Sequence, residues 1–101
     1  MMTFDAYRDS LSGAAPPADV GPPLQALWWA AKGEWDHAHK VCQQHEDSDD
    51  VNWVHAYLHR QEGDLRNAAG WYKRAGKGVP TGELQEEWNG LAAEFLNRPR
   101  A

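Results

Sequence analysis

The chain contains no isoleucine, and Leu, Val and Phe together supply only 15 of its 101 residues. That is below the roughly 20% under which disorder becomes the default expectation. Cysteine is nearly absent as well: Cys42 stands alone, which excludes an intramolecular disulfide. The start, Met1-Met2-Thr3-Phe4-Asp5, has neither a basic region nor an apolar run, so no signal peptide is expected. Long hydrophobic stretches are missing too. Leu24 to Ala31 is the longest nearly charge-free apolar segment, far short of the ~20 residues that span a bilayer. Positive charge is scarce, with a net charge of −5 and basic residues nowhere in a dense run, which disfavours nucleic-acid binding. No glycine loop could cradle a phosphate, and Asp47-Ser48-Asp49-Asp50 lacks the glycine and distal Glu of a calcium loop. These absences leave a single small cytoplasmic domain without membrane, nucleic-acid or cofactor partners.

Against them stand six Trp and three Tyr. Each can bury roughly 150–250 Å², so a core is feasible from few large pieces. Ala numbers 15, while the β-branched Val and Thr total 7, which favours closely packed helices over an extensive sheet. The expected class is all-α. Residues 1–21 read as an arm with a short helix (Phe4, Tyr7 and Leu11 on one side) and a Pro-rich linker, 22–97 as the helical domain, and 98–101 as a tail.

Within the domain, Pro22-Pro23 suit a first helical turn, and that helix stops near Gly33. A second helix carries Trp35, Ala38, Val41, Cys42 and His45. A third, from about Asp50 to Glu62, puts Val51, Val54, His55 and Leu58 on one face and Trp53, Ala56, Tyr57 and Arg60 on the other. Its start is capped by the Ser and Asp side chains of 46–50, and Gly63 closes it. A fourth, Asp64 to about Ala75, turns Leu65, Ala68, Ala69, Tyr72 and Ala75 inward. After Thr81 a fifth carries Leu84, Trp88, Leu91, Ala92 and Phe95 to about Leu96.

Shifting the chain by 30 residues lays Ala26 on Ala56, Gly33 on Gly63, Glu34 on Asp64, Trp35 on Leu65 and Ala38 on Ala68. Helix, glycine turn, acidic start, large apolar residue and close-approach Ala recur, so the pattern is a helical hairpin repeated. The run Ala56 to Ala68, followed by Tyr72 and Ala75, resembles a tetratricopeptide-type repeat, and Asn67 to Ala75 is similar to the second helix of Sel1-like repeats. Trp53-Val54-His55-Ala56-Tyr57-Leu58-His59-Arg60, with Glu62-Gly63-Asp64 after it, also resembles a signature of small bacterial proteins of unassigned function. The first copy departs from the pattern, with Cys42 for Tyr72 and His45 for Ala75, and its period is shorter than the usual 34. The resemblance implies a protein-binding scaffold of two hairpins with the last helix as a cap.

Three constellations carry potential chemistry. Trp53, Tyr57, Arg60, Trp71 and Arg74 combine aromatic faces and guanidinium forks that suit a partner peptide or an anion. His55 and His59, four apart, project from one helix face as a metal pair requires. His37 and His39 sit on the paired helix, where residues two apart diverge. Finally, the adjacent Trp28 and Trp29 differ by about 100° around a helix, so they meet different surfaces. Phe4 and Tyr7 of the arm, the last helix or a second copy of the chain would cover one of them. Cys42 reads as core. The leading expectation is a small interaction module and not an enzyme; the alternatives are a metal- or anion-dependent sensor or enzyme at His55 and His59, and a structural homodimer.

Overall fold

A computed structural model describes residues 2–98, and within them every regular element is helical. Pro99, Arg100 and Ala101, most of the expected tail, lie outside the described residues. In chain order the elements are α1 (Phe4–Asp9), continued by a 3₁₀ turn (Ser10–Ser12), α2 (Pro22–Ala31), α3 (Trp35–Gln43), α4 (Asp49–Gln61), α5 (Leu65–Ala75) and α6 (Leu84–Leu96).

The two hairpins, α2 with α3 and α4 with α5, are closed by the same turn chemistry 30 residues apart. Gly33 and Gly63 take φ of 79° and 88°, the left-handed region that a side chain would strain. In the first turn, Gly33 N–H bonds Ala30 O at 3.1 Å and Glu34 N–H bonds Trp29 O at 2.9 Å; in the second, Gly63 N–H bonds Arg60 O at 3.1 Å and Asp64 N–H bonds His59 O at 2.9 Å. Both are Schellman closures, which satisfy carbonyls that a helix end leaves free. Ala26 and Ala38 in one copy, and Ala56 and Ala68 in the other, are buried where the paired helices approach. The backbone thus repeats where the residues do.

Helix α4 is the centre of the molecule. Ser48 caps it by accepting from Val51 N–H at 3.2 Å, and α2, α3, α5 and α6 all pack on it. That surround buries Val51, Asn52 and every residue from Val54 to His59, while Trp53 and Arg60 of the second expected face stay half-buried. The last helix lies across α2 and α4, the first helices of both hairpins, burying Trp88, Leu91, Ala92 and Phe95. The N-terminal segment is no free arm: Tyr7 and Val20 belong to the main core, and the Tyr7 hydroxyl donates to Leu24 O.

The rings of Phe4 and Tyr7 pack on Trp88, at centroid distances of 6.3 and 5.8 Å. The arm also reaches Trp28 through Ser10, whose Oγ accepts from the indole N–H at 3.0 Å, and Trp28 is fully buried. Trp29 turns to the other helix of its hairpin, stacking on His37 at 3.9 Å. Leu65 and Ala69 do not point inward: Leu65 is 63% exposed and Ala69 is exposed, because among the described residues no further helix lies on that side of α5. Arg98, assigned to the tail, is held by Asp50 and Glu94 at 2.8 and 3.1 Å.

Candidate metal centre

The i, i+4 spacing of His55 and His59 on α4 stacks their rings at 4.9 Å. A third imidazole joins them from α3: His39 lies 4.7 Å from His55 and 5.3 Å from His59, both edge-on. The contact is close at the ring nitrogens, with Nε2 of His39 and Nε2 of His55 3.0 Å apart. One ligand atom from each of the three falls within 4.8 Å of the others. His37, two residues before His39, faces the opposite way onto Trp29, as the helical angle requires.

Indoles wall the trio on two sides. Trp35, one turn before His39, stacks on it at 4.7 Å and anchors α3 to α4 by donating from Nε1 to Leu58 O at 2.8 Å. On the far side Trp71 of α5 stacks on His55 at 3.8 Å, and the Arg74 guanidinium lies over Trp71 at 5.0 Å. Glu62, on the turn after α4, accepts from Nδ1 of His59 at 2.7 Å. That bond places the His59 proton on Nδ1 and leaves the Nε2 lone pair free to accept, the arrangement by which a carboxylate prepares a metal-binding histidine. Asn67 Nδ2 stands 3.5 Å from the same Nε2.

Burial and mutual repulsion favour the neutral form of His55 and His39. Burial, then the neighbouring His39 and His59 and the charge of Arg74, pull His55 down to about 3. Burial and His59 also lower His39, against the opposing pull of Glu62, Asp36 and Glu46. Neutral imidazoles offer lone pairs, and a borderline divalent ion takes three of them readily. Tetrahedral zinc with bonds of 2.0–2.1 Å needs ligand nitrogens about 3.3 Å apart, so closure asks for side-chain shifts of about 1.5 Å at most. Nδ1 of His55 is buried and without a partner.

The five residues expected to form a peptide groove do not line one surface. Trp71 and Arg74 flank the histidines, whereas Tyr57 is buried and Arg60 is committed to Glu87 at 2.9 Å and to Gly82 O. Trp53 packs edge-on against Phe95 at 5.7 Å beneath the Lys77 ammonium. Cys42 lies in the core, where burial pushes its thiol up to about 12 and removes it as a nucleophile. The sequence names His39 beside His37 as a further nitrogen without choosing between them, whereas Glu62 and Asn67 escape it. The i+3 step from His59 to Glu62 was the one local signal for the carboxylate; which face of α3 meets α4 is a tertiary fact.

Among the described residues no helix is long and apolar enough to cross a membrane. Comparison of the chain with protein-family models, curated proteins and solved structures gives no match, so its chemistry rests on the geometry of these side chains.

Proposed function

We propose that the protein binds one divalent transition-metal ion, zinc foremost, through Nε2 of His39, His55 and His59. The observation that carries this reading is the convergence of three imidazoles from two different hairpins, one of them already braced by a carboxylate. An ion on Nε2 of His55 puts that ring's proton on Nδ1, which has no acceptor. The site should therefore fall about 10–100-fold below the affinity of one whose ligands are all braced.

Zinc titration against a chromophoric competitor tests it. One equivalent should bind, His39→Ala and His59→Ala should each abolish detectable binding, and Glu62→Ala should weaken it about 10–100-fold. His37→Ala should change nothing. Unchanged zinc affinity in a His39→Ala/His59→Ala double variant would end the proposal.

The repeat favours a second reading, an interaction module. Leu65 and Ala69 stand where Trp35 and His39 stand in the first copy, yet those pack on α4 and these are exposed. Hairpin repeats of the tetratricopeptide kind stack on such a face. Residues 65–82 carry Arg66, Lys73, Arg74 and Lys77 and no acid, in a chain of net charge −5. The fitting occupant is an acidic amphipathic helix of another protein; a symmetric α5 contact between two copies would oppose like charges. A synthetic acidic amphipathic peptide should bind at micromolar concentration and lose about tenfold with Leu65→Asp. Equal binding of a scrambled peptide lacking the apolar stripe would dispose of this face.

A further inference from the structure

We infer that the ion held by His39, His55 and His59 keeps one coordination position open, and that this position takes a small monodentate anion. The inference rests on the metal reading above and extends it to the ligand. Three observations support it.

The first is the donor count. No fourth Cys, Asp, Glu or His ligand atom joins the trio among the described residues; Glu62 groups with His59 and Asp64 instead and occupies the opposite edge of the His59 ring. Three protein ligands with an exchangeable fourth is the pattern of open zinc sites, whereas closed structural sites supply four.

The second is charge. All three donors are imidazoles, which bring no negative charge to a bound ion, so only the Glu62 carboxylate behind His59 offsets part of its double charge beside His55 and His59, residues 2% and 6% exposed. A charge so placed needs compensation close by. On the Trp71 side the Arg74 guanidinium lies over the indole and raises the potential at His55.

The third is the position of Asn67. Its amide nitrogen, a donor, stands 3.5 Å from Nε2 of His59, on the lone-pair side. An ion on that lone pair deprives the amide of its acceptor. An anion on the ion, beside the amide, would restore one. Asn67 is exposed and His39 half-buried, so this side is also the one a small ligand can reach. Asn67 is thus a positioning residue for the anion and no ligand of the ion.

Cobalt(II) loading separates the two levels of the argument, because the visible absorption of cobalt reports coordination directly. With cobalt bound, added azide or thiocyanate should change the spectrum saturably at millimolar concentration. Asn67→Ala should bind cobalt as tightly as the wild type and bind azide about tenfold more weakly. A cobalt spectrum that azide leaves unchanged up to about 100 mM would overturn the open position while the metal reading survives. A response identical in Asn67→Ala would overturn the role given to Asn67. Absence of cobalt binding would remove both.

Discussion

Trp88→Ala should cost about 3–5 kcal/mol of folding stability, the range for truncating a buried tryptophan. Against the roughly 5–15 kcal/mol that holds a small domain together, that leaves the variant near its unfolding threshold. The size of the effect follows from where the indole sits. Trp88 is 3% exposed, stacks on Tyr7, meets Phe4 edge-on, and donates from Nε1 to Leu27 O at 2.8 Å. One side chain thus joins α6, α1 and α2, and its loss opens a cavity at their meeting point and leaves a buried carbonyl with one partner fewer. Urea unfolding followed by circular dichroism measures the cost. Trp29→Ala, at a half-buried ring, serves as the milder comparison. A loss under about 1 kcal/mol for Trp88→Ala would mean that α6 is not seated as described.

Glu87→Ala should be nearly as damaging, at about 3–5 kcal/mol, because it strands a charge. The side chains of Arg60 and Glu87 are only 14% and 8% exposed, and the Tyr72 hydroxyl donates to the same carboxylate. Removing the acid leaves the guanidinium with only Gly82 O and the phenol without its carboxylate, and burial together with Glu87 already holds the Tyr72 hydroxyl far above its usual ionisation range. The expected signature is non-additivity. Arg60→Met combined with Glu87→Leu should lose much less than Glu87→Ala alone, since an apolar pair of similar volume removes the stranded charge. Zinc affinity should stay at the wild-type value in the double variant, as neither residue touches the histidines. Equal losses in the single and double variants would show that the pair is worth little and that Arg60 is available for other work.

The helices were legible because their ends are local chemistry. Pro22 at a helix start, Gly33 and Gly63 at hairpin turns, and Ser48 before α4 each act within a few residues. The 30-residue repeat was legible for the same reason, and the two turns hold the same hydrogen bonds. What escaped depends on how whole elements dock. Leu65 fits an inward stripe as well as Trp35 does, but a stripe is buried only where another helix arrives; α4 covers Ala68, Tyr72 and Ala75, and among the described residues no helix covers the Leu65 side of α5. Arg60 gave no sign of its partner, which lies 27 residues further on in a helix that folds back across the hairpins. Half of the candidate site was readable from the spacing of His55 and His59. The rest came from packing that aims His39, and not His37, at α4.

The composition that seemed too poor in aliphatic side chains for a core is resolved by how the tryptophans are spent. Trp28 and Trp88 are buried in the main core. Trp35 and Trp71 are half-buried, and each lies flat against an imidazole of the trio.

His39 belongs to the first hairpin and His55 and His59 to the second, so an ion shared among them is bound by the folded chain and hardly at all by the unfolded one. Such an ion enters the folding equilibrium itself. At a free concentration one hundred times its dissociation constant it would add about 2.7 kcal/mol to the folded state. A domain with so little aliphatic core would then owe part of its persistence to the metal supply of its surroundings, and its working lifetime would rise and fall with that supply.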